Sequence, residues 1–143
     1  GDAVGSLRDD VRARADALCE YCHAPEILSA AAYHVEHIVP LSKRGPTTRT
    51  NTAWACPRCN DRKRAKTHGV DPVSGRRVRL FNPRTHRWSR HFRWEDGGRR
   101  LGARTSIGRV TVIELDLNAL SIQGLRALWT SRLGDLFPPP RDV

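Results

Sequence analysis

Methionine is absent from this sequence, which implies that the initiator was removed or replaced. Aromatic residues make up only 6% of the chain, so the few large apolar groups are expected in the core rather than on a base-stacking surface. No apolar run approaches the roughly 20 residues that a bilayer span needs, and the basic residues form no single amphipathic stripe, so a membrane partner is excluded. The N-terminus lacks a basic-then-apolar leader, which points to a reducing cytoplasmic setting and disfavours disulfides. Acidic residues are the minority: 15 Asp+Glu against 25 Lys+Arg give a formal charge of +10. That excess favours a polyanionic partner, with nucleic acid the first candidate.

What is present fits one domain with a modest core, given 143 residues and 38% hydrophobic content. Leu7, Val11, Ala15 and Leu18 recur at helical spacing behind Ser6, which predicts a helix capped by Ser6 and running to about Leu18. Val35, Ile38 and Val39 predict a strand between Tyr33 and Pro40. A Gly/Pro/Thr-rich loop follows from Leu41 to Thr50, then a returning strand at Thr52–Ala55. Pro57 suits the first position of a basic helix running to Lys66 and closed by Gly69. Asp71–Gly75 and Gly97-Gly98 read as turns flanked by short extended pieces, whereas Ile107–Leu117 has strand propensity without clean alternation and stays open. Ser121 is placed as the cap of a last helix burying Ile122, Leu125, Leu128, Trp129 and Leu133.

All four cysteines lie in two C-x-x-C pairs, Cys19 with Cys22 and Cys56 with Cys59. Two redox motifs or disulfides are the competing readings. Zinc is favoured because two such pairs complete one tetrahedral site and no cysteine is left over. A closed four-thiolate site is structural, so any catalysis lies elsewhere. Between the pairs, Tyr33-His34-Val35-Glu36-His37-Ile38-Val39-Pro40 sets a carboxylate beside an imidazole, Asn51 follows the loop, and Asn60 directly follows the fourth cysteine.

The ordered set C-E-Y-C, H-V-E-H-I-V-P-L-S, N and C-P-R-C-N-D-R-K resembles the HNH endonuclease family in its zinc-containing ββα-metal form, over Cys19 to Lys66, about a third of the chain. The resemblance implies an α+β fold: a small zinc-stabilised ββα-metal core with an N-terminal helix and a C-terminal α/β extension. Residues 1–143 would then form a single nuclease domain, with core 7–68, extension 69–134 and loose tail 135–143. A weaker similarity links Asp71-Pro72, Phe81-Asn82-Pro83, Trp88, His91-Phe92 and Gly108-Arg109 to the C-terminal extension of some bacterial HNH proteins.

The resemblance implies a metal-dependent DNA endonuclease whose cleavage leaves a 3′-hydroxyl and a 5′-phosphate. The residue chemistry agrees with it. His37 is suited to be the general base that activates water. Glu36 and Asn60 offer hard oxygens for Mg²⁺ or Mn²⁺, with other divalent transition metals as further candidates and His34 as an additional candidate ligand. In the family, Glu36 stands where Asp is commoner and Asn60 where His is commoner. By family analogy Asn51 orients the loop. Arg58, Arg62, Lys63 and Lys66 are the candidate DNA contacts, Lys63 foremost, on double-stranded DNA and in a monomer or homodimer.

Two alternatives stand beside this reading: a non-catalytic zinc-stabilised DNA-binding module, and a toxin-type nuclease with an immunity partner. Each shares one expectation from charge alone. Binding to duplex DNA should weaken steeply as salt rises from about 50 to 200 mM, because each neutralised phosphate releases counterions. A flat salt dependence in a filter-binding or anisotropy titration would contradict the basic surface as the docking face.

Overall fold

The structure, a computed structural model, describes residues 3–139. Two compact units divide it, Gly1–Thr67 and His68–Val143. Both mix helices with two-stranded antiparallel sheets, so the α+β class is observed.

In the first unit, α1 (Ala3–Arg14) buries Val11 on one face. It begins upstream of Ser6, which therefore lies inside the helix rather than at its cap. It also stops short of Leu18, because Asp16 and Ala17 adopt left-handed φ values of 52° and 54°, which cost a non-glycine residue its helical continuation. Strands β1 (His34–His37) and β2 (Thr52–Ala55) pair with Glu36 opposite Ala53 and His37 opposite Thr52. Their core is Trp54, fully buried, whose backbone N–H donates to Glu20 Oε2 at 2.8 Å and whose ring Nε1 donates to Glu26 Oε1 at 2.9 Å. The Arg8 guanidinium lies 4.6 Å above the Trp54 ring.

Helix α2 (Pro57–Lys63) starts with proline at its first turn, where a missing N–H costs nothing. It is shorter than the sequence predicts. Arg64 takes φ 49°, the helix ends at Lys63, and Gly69 is not its stop but part of the next strand.

In the second unit, β3 (His68–Val70) and β4 (Arg77–Arg79) flank the first predicted turn, and β5 (Phe92–Glu95) and β6 (Arg100–Ala103) flank the second. Short helix α3 (Trp88–His91) precedes β5. The undecided segment is helix α4 (Ser106–Glu114), capped by Thr105, whose hydroxyl accepts from the Gly108 N–H at 3.1 Å. Its β-branched Thr111 has a use that propensity does not reveal: the hydroxyl donates to Ile107 O at 2.7 Å and accepts from Phe81 N at 2.9 Å. Gly108 is required there, since a Cβ would fall 2.2 Å from His91 O.

The last helix, α5 (Leu120–Arg132), is capped by Ala119 without a side-chain bond, so Ser121 is not its cap. It buries Ile122, Gln123, Arg126 and Trp129, while Leu125 and Leu128 face outward and Leu133 follows the helix half-buried. The polar pair is buried because Gln123 Nε2 donates to Asn118 O at 2.6 Å and Arg126 donates to Asn118 Oδ1 at 3.2 Å. Trp88, Phe92, Trp94, Trp129 and Phe137 form one aromatic core, with Trp94 and Phe137 in edge contact at 5.0 Å. The aromatics are core, as composition predicts. The stretch read as loose tail is anchored through its fully buried Phe137; residues 140–143 lie outside the described residues. Apart from histidines, every basic residue after Lys66 is an arginine.

The β3–β4 turn is built around Asp71. Its carboxylate accepts from Val73 N, Ser74 N and Ser74 Oγ, and takes a two-pronged contact from Arg109 on α4 at 2.8 and 2.9 Å. The Arg109 guanidinium holds the Asp71 carboxyl well below the usual carboxylate range, with help from the Ser74 hydroxyl. A depressed folded value means that this contribution is present above the unfolded value of roughly 3.9 and is lost as pH falls through the folded one. Asp71→Asn should therefore lower the thermal midpoint of the second unit at pH 7 and flatten its dependence on pH below about 4, as followed by near-UV circular dichroism. An unchanged midpoint at pH 7 would remove the pair from the set of interactions that hold this unit.

Candidate functional site

Each cysteine pair sits on a turn that its own backbone closes. After Leu18, the Cys19 N–H donates to Ala24 O at 3.0 Å and the His23 N–H donates to Cys19 O at 2.8 Å, with His23 at φ 61°. Cys56 caps α2, its Sγ accepting from the Cys59 N–H at 3.3 Å. The β1–β2 hairpin brings the two turns together, so that all four Sγ atoms lie within 4.8 Å of one another and all four residues are buried. Cys22 and Cys56 Sγ stand 3.8 Å apart. A tetrahedron with zinc–sulfur bonds of about 2.3 Å has edges of about 3.8 Å. Burial pushes the Cys19 thiol well above its ordinary value, and hydrogen bonding with the neighbouring thiols, Cys19 first, does the same to Cys59. Such a cluster ionises only around a cation. The four cysteines are thus positioned to bind a zinc ion.

Beside this cluster, Glu36 is 4% exposed and Lys63 1%. The Tyr21 hydroxyl donates to Glu36 Oε1, and the Lys63 ammonium donates to Oε2 at 2.8 Å. Lys63 also donates to His37 O at 3.2 Å and Ile38 O at 3.0 Å. Burial pushes the Glu36 carboxyl up, and the Lys63 charge pulls it down. Burial also pushes Tyr21 well above its ordinary value, with the Glu36 charge adding to it, so the phenol remains a donor. His37, at the end of β1, is partly exposed, and its Nε2 is 2.8 Å from Thr47 Oγ1. Asn51 is buried and closes the loop: its Nδ2 donates to Val39 O at 3.0 Å and Pro46 O at 2.9 Å, and its Oδ1 accepts from the Val39 N–H at 2.9 Å. The loop passes so close at Gly45 that a Cβ would fall 1.7 Å from Val39 O.

The predicted residues therefore divide. Glu36 and His37 are adjacent on β1, and Asn60 lies one turn before Lys63 on the helix whose end is tied to Glu36. Asn60 is partly exposed, and among the described residues its carboxamide has no hydrogen-bond partner. His34 shares strand parity with Glu36 but is exposed. Arg62 and Lys66 are exposed and Arg58 is partly so. Lys63, foremost among the expected DNA contacts, is instead an interior residue. All three of its N–H donors have oxygen acceptors, because its helix position points at the end of β1 rather than at solvent. Sequence reasoning missed Tyr21, whose place between two cysteines was the available signal, and Thr47, which had none.

Residues 19–66 match the family model described as HNH endonuclease, about a third of the chain. No curated protein and no solved structure matches. Cys19→Ser or Cys56→Ser should lose zinc and the first unit's fold together, read as metal stoichiometry by mass spectrometry beside far-UV circular dichroism. A normally folded, zinc-free variant would contradict a structural zinc site.

Proposed function

Proceeding from the HNH endonuclease match over residues 19–66, we propose that this protein is a metal-dependent endonuclease that hydrolyses phosphodiester bonds of double-stranded DNA. One observation carries the reading: within the matching segment, a partly exposed His37 stands next to Glu36 at the tip of a hairpin that a thiol cluster and Asn51 hold in place. Thr47 holds the His37 ring through Nε2, which leaves Nδ1 to take the proton from the attacking water. Asn51 is a positioning residue, fixing the loop that carries Thr47. Glu36 and Asn60 would hold a divalent ion, with His34 as a further candidate; their oxygen chemistry suits Mg²⁺ or Mn²⁺. When bound, the ion supplies charge neutralisation at the phosphate and the departing oxygen. Arg58, Arg62 and Lys66 would contact the backbone, leaving a 3′-hydroxyl and a 5′-phosphate after cleavage.

A second reading, a DNA-binding module without catalysis, draws support from Glu36, both of whose oxygens already have partners. Supercoiled plasmid separates the two. With Mg²⁺, Mn²⁺, Co²⁺ or Ni²⁺ the wild-type protein should nick it, and His37→Ala should cut about 10²–10⁴-fold more slowly while binding DNA equally well. Wild-type protein that binds but cuts with none of these ions would favour the module; equal cutting by His37→Ala would remove His37 as the base.

A further inference from the structure

Lysine rarely lies in a protein interior, and when it does it needs partners for its charge and for all three N–H donors. Lys63 has them: a carboxylate oxygen at 2.8 Å and two backbone carbonyls at 3.0 and 3.2 Å, at 1% exposure. The nest is made only of oxygen. A carboxylate with nearby carbonyls is also the donor set that a hard divalent cation selects. Two cations do not share one buried carboxylate easily, because their repulsion in a poorly solvated site is large. The other Glu36 oxygen accepts the Tyr21 hydroxyl.

We infer that Lys63 is the resident cation of the Glu36 site, and that a divalent ion reaches Glu36 by displacing the ammonium. The inference rests on the nuclease reading only in taking Glu36 as a ligand. Its consequence is a coupling: the carbonyls released belong to His37 and Ile38, so ion entry frees the backbone that carries the proposed base. Lys63 thereby acts as a positioning residue that opposes metal binding and keeps the tip of β1 fixed until a metal arrives.

The test uses the zinc-loaded chain of 143 residues. The chain has three lysines, Lys43, Lys63 and Lys66, of which Lys43 and Lys66 are exposed. In an NMR spectrum selective for ¹⁵N ammonium groups, Lys63 should give the one slowly exchanging signal, and Mg²⁺ should shift or abolish it. Manganese titration followed by electron paramagnetic resonance should show binding at least about tenfold tighter in Lys63→Met than in wild type. Adding Glu36→Gln should erase that gain. An ammonium signal unmoved at Mg²⁺ concentrations that support plasmid cleavage overturns the displacement and leaves the nuclease reading standing. A Lys63→Met gain that survives Glu36→Gln also overturns it, because the ammonium would then oppose a metal held elsewhere. Neither metal binding nor cleavage, in wild type or variant, overturns both. The wild-type spectrum decides the matter even if Lys63→Met fails to fold.

Discussion

Four sulfur atoms confined within a few ångströms of one another set the terms for the first unit. Buried thiols resist ionisation, and four thiolates repel, so the cluster takes up its negative charge only around a shared cation. The hairpin between the two cysteine turns inherits its register from that demand. Cys56 both joins the cluster and caps α2, so an ion bound by the cluster would also fix where the helix starts. Through Lys63 the far end of the same helix reaches back to β1. A short hairpin and a helix of two turns would be marginal alone; here each is fixed at two points.

The second tie differs in kind. A buried ion pair contributes little net stability once desolvation is counted, yet it strongly penalises arrangements that separate the partners. Its value to this unit is specificity of position. Glu36 can face only one way while Tyr21 and Lys63 hold its two oxygens.

Much of this was legible in the residues. The Thr52–Ala55 strand and the Pro57 start of α2 follow from features that act locally, and the cysteine spacing declares the metal cluster because tetrahedral coordination leaves few alternatives. Lys63 was misplaced because burial of a lysine depends on where two carbonyls of another strand end, which no local pattern encodes. Ile107–Leu117 stayed open because its strand propensity and its pattern disagreed; Thr111 and Gly108 are used for a long-range hydrogen bond and a close backbone approach that neither encodes. Helix α5 misled by periodicity: Asn118 supplies partners that let Gln123 and Arg126 go inside, and Leu125 and Leu128 were left outside.

The second unit's reliance on arginine has an effect of its own. A guanidinium stays protonated at any pH where a protein is folded and holds its water loosely, whereas an ammonium titrates and is open to acylation. The arginine share of the positive charge in this half of the chain is consequently indifferent to pH and out of reach of lysine-directed modification. Ionic strength or a competing anion is what acts on the pull of those arginines on a polyanion.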